Sequence, residues 1–301
     1  MIVLRHLTKQ FGKRPAVEDL SLEVQRGDVF GLLGHNGAGK STTIGMLLGQ
    51  VWPTSGEALI DGHDVARNRS GALARVGAIF EAPAFYDYLS GWRNLEILAN
   101  YTAPTSRERM LQVIGWVGLA GREHQTVKTY SHGMRARLAL AQALLPDPNL
   151  LILDEPTNGL DPEGIHEMRA TIRRLHDELG LTLLLSSHLL TEVEQLCTRI
   201  AVLNQGRKVF DGALSEARQK QKWVRLVTDD FDRATRVLVE AQYVTATRDR
   251  ALLALAPEVS ISQVAKRLVE LNFPIHEIRP EEQTLEGFYM SLMKGDVGRD
   301  A

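Results

Sequence analysis

One segment of the sequence has residue types and spacing suited to hold a phosphate group. Residues 34–42 read Gly34, His35, Asn36, Gly37, Ala38, Gly39, Lys40, Ser41 and Thr42. The first eight fit the pattern G-x-x-x-x-G-K-S/T, so we expect the loop to bind phosphates and Lys40 to reach the terminal ones. Backbone N–H groups of the loop and the N-terminus of a following helix favour an anion, and the Ser41 hydroxyl is suited to ligate magnesium. His35 occupies a position that the pattern leaves unspecified, so we interpret its side chain as a bystander in the loop.

Two adjacent carboxylates, Asp154 and Glu155, end a continuous apolar run at 150–153. If this run is a strand of a parallel sheet, its C-terminal end brings the acids to the phosphate loop. Asp154 is then placed to hold magnesium, and Glu155 to orient and polarise the water that attacks a γ-phosphate. Adjacent acids at a strand end are also common in solvated loops. Their combination with Lys40 and Ser41 favours the catalytic interpretation.

The segments around these residues indicate an α/β fold. Short apolar runs predict strands buried on both faces of a parallel sheet, at 29–33, 150–153 and 181–185. Apolar spacing predicts helices at 40–50 and 163–179, the second stopped by Gly180. The stretch 90–145 has mostly helical spacing and no good strand, which predicts a helical insertion.

A charged stretch at 216–222 indicates a boundary between two domains. We predict a first domain over 1–213, a linker over 214–222 and a second domain over 223–301. The second domain has the predicted order βαββαβ, with its last strand at 274–278 and a closing helix after it. This order is typical of a small α+β domain of the ferredoxin-like kind. No catalytic constellation is recognisable there, so we expect a structural or interface role.

The segment Tyr130-Ser131-His132-Gly133-Met134 resembles L-S-G-G-Q, the signature motif of ATP-binding cassette proteins. Ser131 and Gly133 keep the family residues, whereas Tyr130, His132 and Met134 depart from them. The resemblance implies a P-loop NTPase cassette with antiparallel β and helical subdomains. It also implies that Ser131 and the Gly133 N–H bind nucleotide at the start of a helix. A catalytic role for His132 is disfavoured, because the motif binds through hydroxyl and backbone groups.

Further elements resemble the family in the family's order, over residues 1 to about 213. Asp161 ends a segment that resembles the loop touching an opposing subunit, and we expect it at the nucleotide. His188 resembles the switch histidine, which contacts the γ-phosphate and helps to fix the attacking water. Phe11 resembles the aromatic residue that stacks on adenine; the alternative is a core phenylalanine, since both roles need an apolar ring.

Glu81 stands where the family usually has glutamine. The segment 79–86 resembles subunits of bacitracin-type and lantibiotic exporters, some of which carry glutamate there. This resemblance implies that Glu81 lies near magnesium and contributes to holding it. The alternative is drift in a tolerant loop.

Composition limits the classes of partner. With 35 basic and 37 acidic side chains in 301 residues, the formal charge of -2 gives no electrostatic reason to expect nucleic acid as a partner. The single cysteine, Cys197, fits a reducing compartment. No run of about 18 apolar residues occurs, and the apolar stretch at the N-terminus is too short for a signal peptide. We therefore expect a cytoplasmic protein, peripheral on the inner face of the cell membrane.

The resemblance implies a subunit that binds and hydrolyses ATP with Mg²⁺, forms an ATP-dependent dimer of cassettes and powers a separate transmembrane permease subunit. We expect an exporter of drugs, antibiotics or peptides. The alternative is a cassette ATPase outside transport, acting in DNA repair or on ribosomes. The first kind inserts long coiled coils and the second has two cassettes in one chain. The sequence has one phosphate loop and no coiled-coil insertion.

Overall fold

The computed structural model describes residues 1–80, 84–102, 105–219, 223–281 and 284–293. The chain divides into two units, Met1–Ala213 and Leu214–Ala301. Across the described ranges, no helix combines the length and apolar character needed to cross a membrane.

The strands of the first unit are β1 (Ile2–Phe11), β2 (Arg14–Val24), β3 (Val29–Leu33), β4 (Ser55–Ile60), β5 (His63–Asp64), β6 (Val76–Ile79), β7 (Leu150–Asp154), β8 (Thr182–Ser187), β9 (Arg199–Asn204) and β10 (Arg207–Ala213). Its helices are α1 (Lys40–Leu47), α2 (Arg69–Leu73), α3 (Gly91–Thr102), α4 (Arg107–Trp116), α5 (His132–Leu144), α6 (Pro162–Leu179) and α7 (Leu190–Leu196).

A six-stranded sheet in the order β10-β9-β3-β8-β7-β6 forms the centre of the first unit. Strands β9, β3, β8, β7 and β6 run parallel, and β10 pairs antiparallel with β9. Every residue of β3, β7 and β8 is buried, which explains their nearly continuous apolar sequences. The three strands predicted here are confirmed. Strand β8 starts one residue later than predicted and continues through Ser186 and Ser187.

A second, antiparallel sheet has the order β2-β1-β4-β5. Side chains of this sheet, of α1 and of the central sheet share one core, with Leu7, Phe30 and Ile44 among its fully buried members. This shared core fixes α1 between the two sheets. Helix α1 ends at Leu47, three residues before the predicted end, and Gly49 follows with a φ of 64°, which a continuing helix does not allow.

The described part of 90–145, where a helical insertion is predicted, contains α3, α4 and α5. Helix α6 agrees with its prediction, and Gly180 ends it in the left-handed conformation with a φ of 64°.

The second unit contains strands β11 (Trp223–Val227), β12 (Val244–Arg248), β13 (Leu252–Leu255) and β14 (Glu277–Glu281), and helices α8 (Leu214–Gln219), α9 (Phe231–Glu240), α10 (Ile261–Glu270) and α11 (Leu285–Met293). Its sheet has the order β12-β13-β11-β14, with every pair antiparallel. This is the strand order of a ferredoxin-like split βαβ arrangement.

Two sequence-based boundaries differ in the second unit. The last strand is β14, three residues beyond the predicted 274–278, and it includes Pro280. Proline is tolerated because β14 is an edge strand, where one side of the backbone needs no partner. Residues 214–219, assigned to the linker, form α8, in which Leu214 and Ala217 are buried.

Candidate functional site

The phosphate loop connects the C-terminal end of β3 to the N-terminus of α1. Gly39 precedes the helix with a φ of 107°, and a Cβ there would lie 2.6 Å from the Ala16 carbonyl oxygen, so the turn requires glycine. Lys40 is only 5% exposed, and its Nζ donates to the Gly34 carbonyl at 2.8 Å. Thr43 Oγ1 donates to the Gly39 carbonyl at 2.9 Å. The loop is therefore held in shape by its own side chains, with the helix N-terminus facing an anion site.

The pairing of β7 with β8 positions the two predicted acids. Asp154 lies opposite Ser186, whose hydroxyl donates to Asp154 Oδ1. The Glu155 backbone N–H donates to Ser186 Oγ at 3.1 Å. Glu155 has a φ of 47°, in the left-handed region. Because of this turn after β7, the two adjacent carboxylates have different neighbours.

Of the three residues predicted to be catalytic, Lys40 and His188 both lie next to the carboxylate of the third, Glu155. Lys40 Nζ lies 3.6 Å from Glu155 Oε1, and His188 Nδ1 lies 2.7 Å from Glu155 Oε2. His188 is 40% exposed and Lys40 is buried, so the carboxylate joins a solvent-facing ring to an interior ammonium. An acceptor between two donors is suited to orient a water molecule next to bound phosphate.

Two clefts meet at Glu155 and Ser41. One has a volume of about 600 Å³ and is lined by the aromatic ring of Phe11 and by Asn36, Gly37, Gly39, Lys40 and Thr42 of the loop, together with Ser41 and Glu155. The other, of about 470 Å³, includes Ser41, Asp154, Glu155 and side chains of α5. The first cleft combines the phosphate loop with the ring of Phe11, and a nucleotide site needs both a phosphate-binding segment and an apolar surface for the base.

Phe11 lies at the rim of the first cleft. Its side chain is 54% exposed, and the Lys9 ammonium lies 4.8 Å from the ring centre. The exposure does not fit a core phenylalanine. An exposed aromatic ring beside the cleft is suited to stack on a base.

Oxygen donors for a magnesium ion converge in the second cleft. Ser41 and Asp154 both line it, and a hydroxyl and a carboxylate are the hard ligands that Mg²⁺ takes. Among the described residues, no three His, Cys, Asp or Glu side chains form a group that could hold a metal. One hydroxyl and one carboxylate suit an ion that takes its other ligands from phosphate and water. Glu81 lies outside the described residues, and its role at the metal stays a prediction.

Comparison with known proteins identifies the family. The family model described as ABC transporter matches residues 17–158. An uncharacterised ABC transporter ATP-binding protein of Bacillus subtilis (strain 168), YhcH, is 38% identical over 97% of this chain and 95% of its own. The chain belongs to the ABC transporter ATP-binding proteins. It is thus an ATPase that binds and hydrolyses ATP, and the alternative of a cassette outside transport is not favoured.

Two further relatives have named functions, and a solved structure shares the fold. The bacitracin transport ATP-binding protein BcrA of Bacillus licheniformis is 36% identical over 96% of both chains. The lantibiotic transport ATP-binding protein SrtF of Streptococcus pyogenes is 38% identical over 71% of this chain and 93% of its own. A structure described as the ATP-binding subunit of an ABC transporter matches with a TM-score of 0.64 and 28% identity, over 73% of this chain and 92% of that one. The predicted cassette fold is confirmed.

Several predicted ligands do not line the two clefts around Glu155. Gly34 and Ala38 are buried in the loop, and the His35 ring points to the Asn36 carbonyl at 2.8 Å. The hydroxyl of Ser131 caps α5 by accepting from Met134 N, and Asp161 caps α6 by accepting from Gly164 N. Gly133, in the first turn of α5, is likewise not among the lining residues. Of the signature segment, His132 lines the second cleft, whereas Ser131 and Gly133 do not.

Four side chains that support the site could not be predicted from their positions in the sequence. They are Thr157, Ser186, Ser187 and Glu192, all buried. The residue type of the two serines carries a signal that could have found them, since hydroxyls at the end of an apolar strand need hydrogen-bond partners when buried. Thr157 and Glu192 carry none, because their pairing depends on the placement of α7.

Proposed function

We propose that the chain hydrolyses ATP with Mg²⁺ to power a separate membrane-spanning permease that exports an antibiotic or peptide. The observation that carries the proposal is the convergence of Lys40 and His188 on the two oxygens of Glu155, at 3.6 and 2.7 Å. An ammonium, a carboxylate and an imidazole beside a phosphate loop are the groups that positioning and charge stabilisation in phosphoryl transfer need.

Each residue has one role in this proposal. Backbone N–H groups of the loop hold the phosphates, and Lys40 leaves Glu155 for the terminal phosphate oxygens. Glu155 accepts a hydrogen bond from the attacking water and polarises it, while His188 contacts the γ-phosphate and fixes that water. Ser41 and Asp154 would hold Mg²⁺, whose chemistry when bound is to neutralise phosphate charge. Phe11 stacks on the adenine.

A second cassette completes the nucleotide site in this proposal. Ser131 and Gly133 at the start of α5, with Asp161 before α6, would face the ATP held by the partner's phosphate loop. ATP then bridges the two subunits, and hydrolysis releases them. Nucleotide drives a permease only if it binds the closed dimer more tightly than the open one.

The class of cargo rests on the relatives. Two of them are named for bacitracin and lantibiotic transport, and one of these aligns over 96% of this chain. A subunit that works on such a permease would sit on the inner face of the cell membrane. Co-purification of the chain with its membrane partner identifies that partner and tests this placement.

Substitution of Glu155 by glutamine tests the proposal. Glutamine preserves the shape of the side chain and removes its negative charge. We expect Glu155→Gln to bind ATP with unchanged affinity, to lose steady-state turnover by at least about 100-fold, and to accumulate as an ATP-bound dimer. Nucleotide binding, phosphate release and sizing chromatography with ATP and Mg²⁺ measure the three effects.

The matched control is Glu23→Gln, which makes the same change at an exposed position of β2. We expect this variant to hydrolyse ATP at the wild-type rate. Wild-type turnover in Glu155→Gln would refute the catalytic assignment of Glu155.

A further inference from the structure

A buried carboxylate lies directly behind the hydrolysis site. Glu192, on α7, is 2% exposed, and its two oxygens face different segments of the chain. The Thr157 hydroxyl donates to Glu192 Oε1, and the Ser187 hydroxyl donates to Glu192 Oε2 at 2.7 Å. Thr157 and Ser187 are buried as well.

The two donors are neighbours in sequence of the groups that would act on water. Thr157 is two residues after Glu155, in the turn that leaves β7, and Ser187 directly precedes His188 at the end of β8. Glu155 and His188 contact each other at 2.7 Å on the front of the site. The Glu192 carboxylate therefore links the segment after β7 to the end of β8, and these are the two segments that carry Glu155 and His188.

The link is favourable only while both hydroxyls remain in place. A carboxylate removed from water is costly unless hydrogen bonds compensate it, and hydrogen bonds to an ionised oxygen are stronger than those between neutral groups. Burial and the nearby Glu192 raise the pKa of the Cys197 thiol, also on this side of the sheet, which agrees with an interior shielded from solvent. A shift of either segment would break one of these bonds.

We propose that Glu192 is a positioning residue that holds Glu155 and His188 in the geometry needed to activate water. It acts through Thr157 and Ser187 and touches neither ATP nor the reacting atoms. The inference rests on the proposed role of Glu155 and His188 in ATP hydrolysis. It assigns to the α7 carboxylate an effect on turnover that is separate from nucleotide binding.

Removal of single hydroxyls tests the link with little change in shape. We expect Thr157→Val and Ser187→Ala each to lower kcat about 10-fold in the full chain with ATP and Mg²⁺, and to leave KM within about twofold, because small displacements of reacting groups cost rate. Thr157→Ser keeps the hydroxyl and should restore kcat. Glu192→Met, which has similar length but no acceptor, should lower kcat at least as much.

Combined variants show whether the hydroxyls act through the same carboxylate. In the Glu192→Met background, adding Thr157→Val should lower kcat no further, since the bond is already lost. Fully additive effects would contradict the proposal. If Glu192→Met does not fold, the two hydroxyl variants and the Thr157→Ser rescue still decide it.

The control for loss of packing is Val193→Ala, which truncates the buried neighbour of Glu192 on α7. We expect lower thermal stability in this variant and wild-type kcat per folded molecule. Wild-type kcat in both hydroxyl variants, or losses of kcat that merely follow the folded fraction, would overturn the inference. If the wild-type chain does not hydrolyse ATP, the proposed function itself fails, which is a distinct result.

Discussion

Side chains at the hydrolysis site depend on one another for charge and position. Lys40 is nearly buried and has a carbonyl and the Glu155 carboxylate as its neighbours. Glu155 in turn contacts His188. Removal of any one of the three takes a contact away from at least one of the others, so their substitutions should not have additive effects on turnover.

The exposed ring of Phe11 leads to a prediction about nucleotide affinity. We expect Phe11→Ala to raise the Kd for ATP about 5- to 10-fold, because an aromatic stacking contact is worth about 1 kcal/mol. Phe11→Trp should retain the affinity. Fluorescence titration with ATP measures it.

The thermal midpoint is the control for Phe11→Ala. A half-exposed ring contributes little to the core, so the midpoint should stay close to that of the wild type. A large drop in the midpoint with unchanged Kd would favour the structural interpretation of Phe11.

At the scale of elements, the unusual Tyr130 of the signature segment has a packing reason. Its hydroxyl donates to the Arg122 carbonyl at 2.8 Å, and its ring faces Gly91, the first residue of α3. Burial, and to a smaller extent Glu123, raises the pKa of Tyr130, so the hydroxyl remains protonated and able to donate at neutral pH. Tyr130 thus joins the start of α3 to the segment before α5.

The contact between Tyr130 and Gly91 predicts a compensating pair. A Cβ at position 91 would lie 2.4 Å from Tyr130 Oη. We expect Gly91→Ala to destabilise the fold by about 1–3 kcal/mol as overpacking, and Tyr130→Phe by about 1 kcal/mol through the lost hydrogen bond. The double variant should be more stable than Gly91→Ala alone.

Urea unfolding of the four proteins measures this coupling. Additive destabilisation by the two substitutions would show that the two residues do not compete for space.

The elements that the sequence predicted well are those whose pattern is local. Apolar runs gave β3 and β7, and the parallel sheet then placed Lys40 beside Glu155 without further information. Glu192 was not predicted, because a glutamate on a short helix normally faces solvent. Its burial follows from the packing of α7 behind β8, which no spacing rule encodes. The last strand was misplaced for a similar reason, since Pro280 is acceptable only at an edge.

At the scale of the whole molecule, each unit has its own core. The second unit buries residues from its sheet and from α9 and α10, including Val224, Leu238 and Leu268. Helix α10 also begins with a capping box between Ser260 and Gln263. Local signals and a separate core of this kind favour autonomous folding.

Truncation tests whether the first unit folds alone. We expect a chain that ends at Ala213 to be folded and to bind ATP with the affinity of the full chain, since its sheets and phosphate loop are complete. A chain that ends at Lys222 should aggregate more, because it keeps α8 without the neighbouring α11. Circular dichroism and ATP titration compare the two, and loss of all folded protein at Ala213 would contradict the prediction.

At Glu155, the left-handed backbone conformation makes the residue type that is best for stability different from the one that the reaction needs. A side chain there costs about 1–2 kcal/mol relative to a favoured backbone conformation, and glycine would remove most of that cost. Selection for stability alone would therefore replace the residue on which turnover depends. A library of variants ranked by heat resistance should become enriched in Gly or Asn at position 155 and lose ATPase activity as it does so.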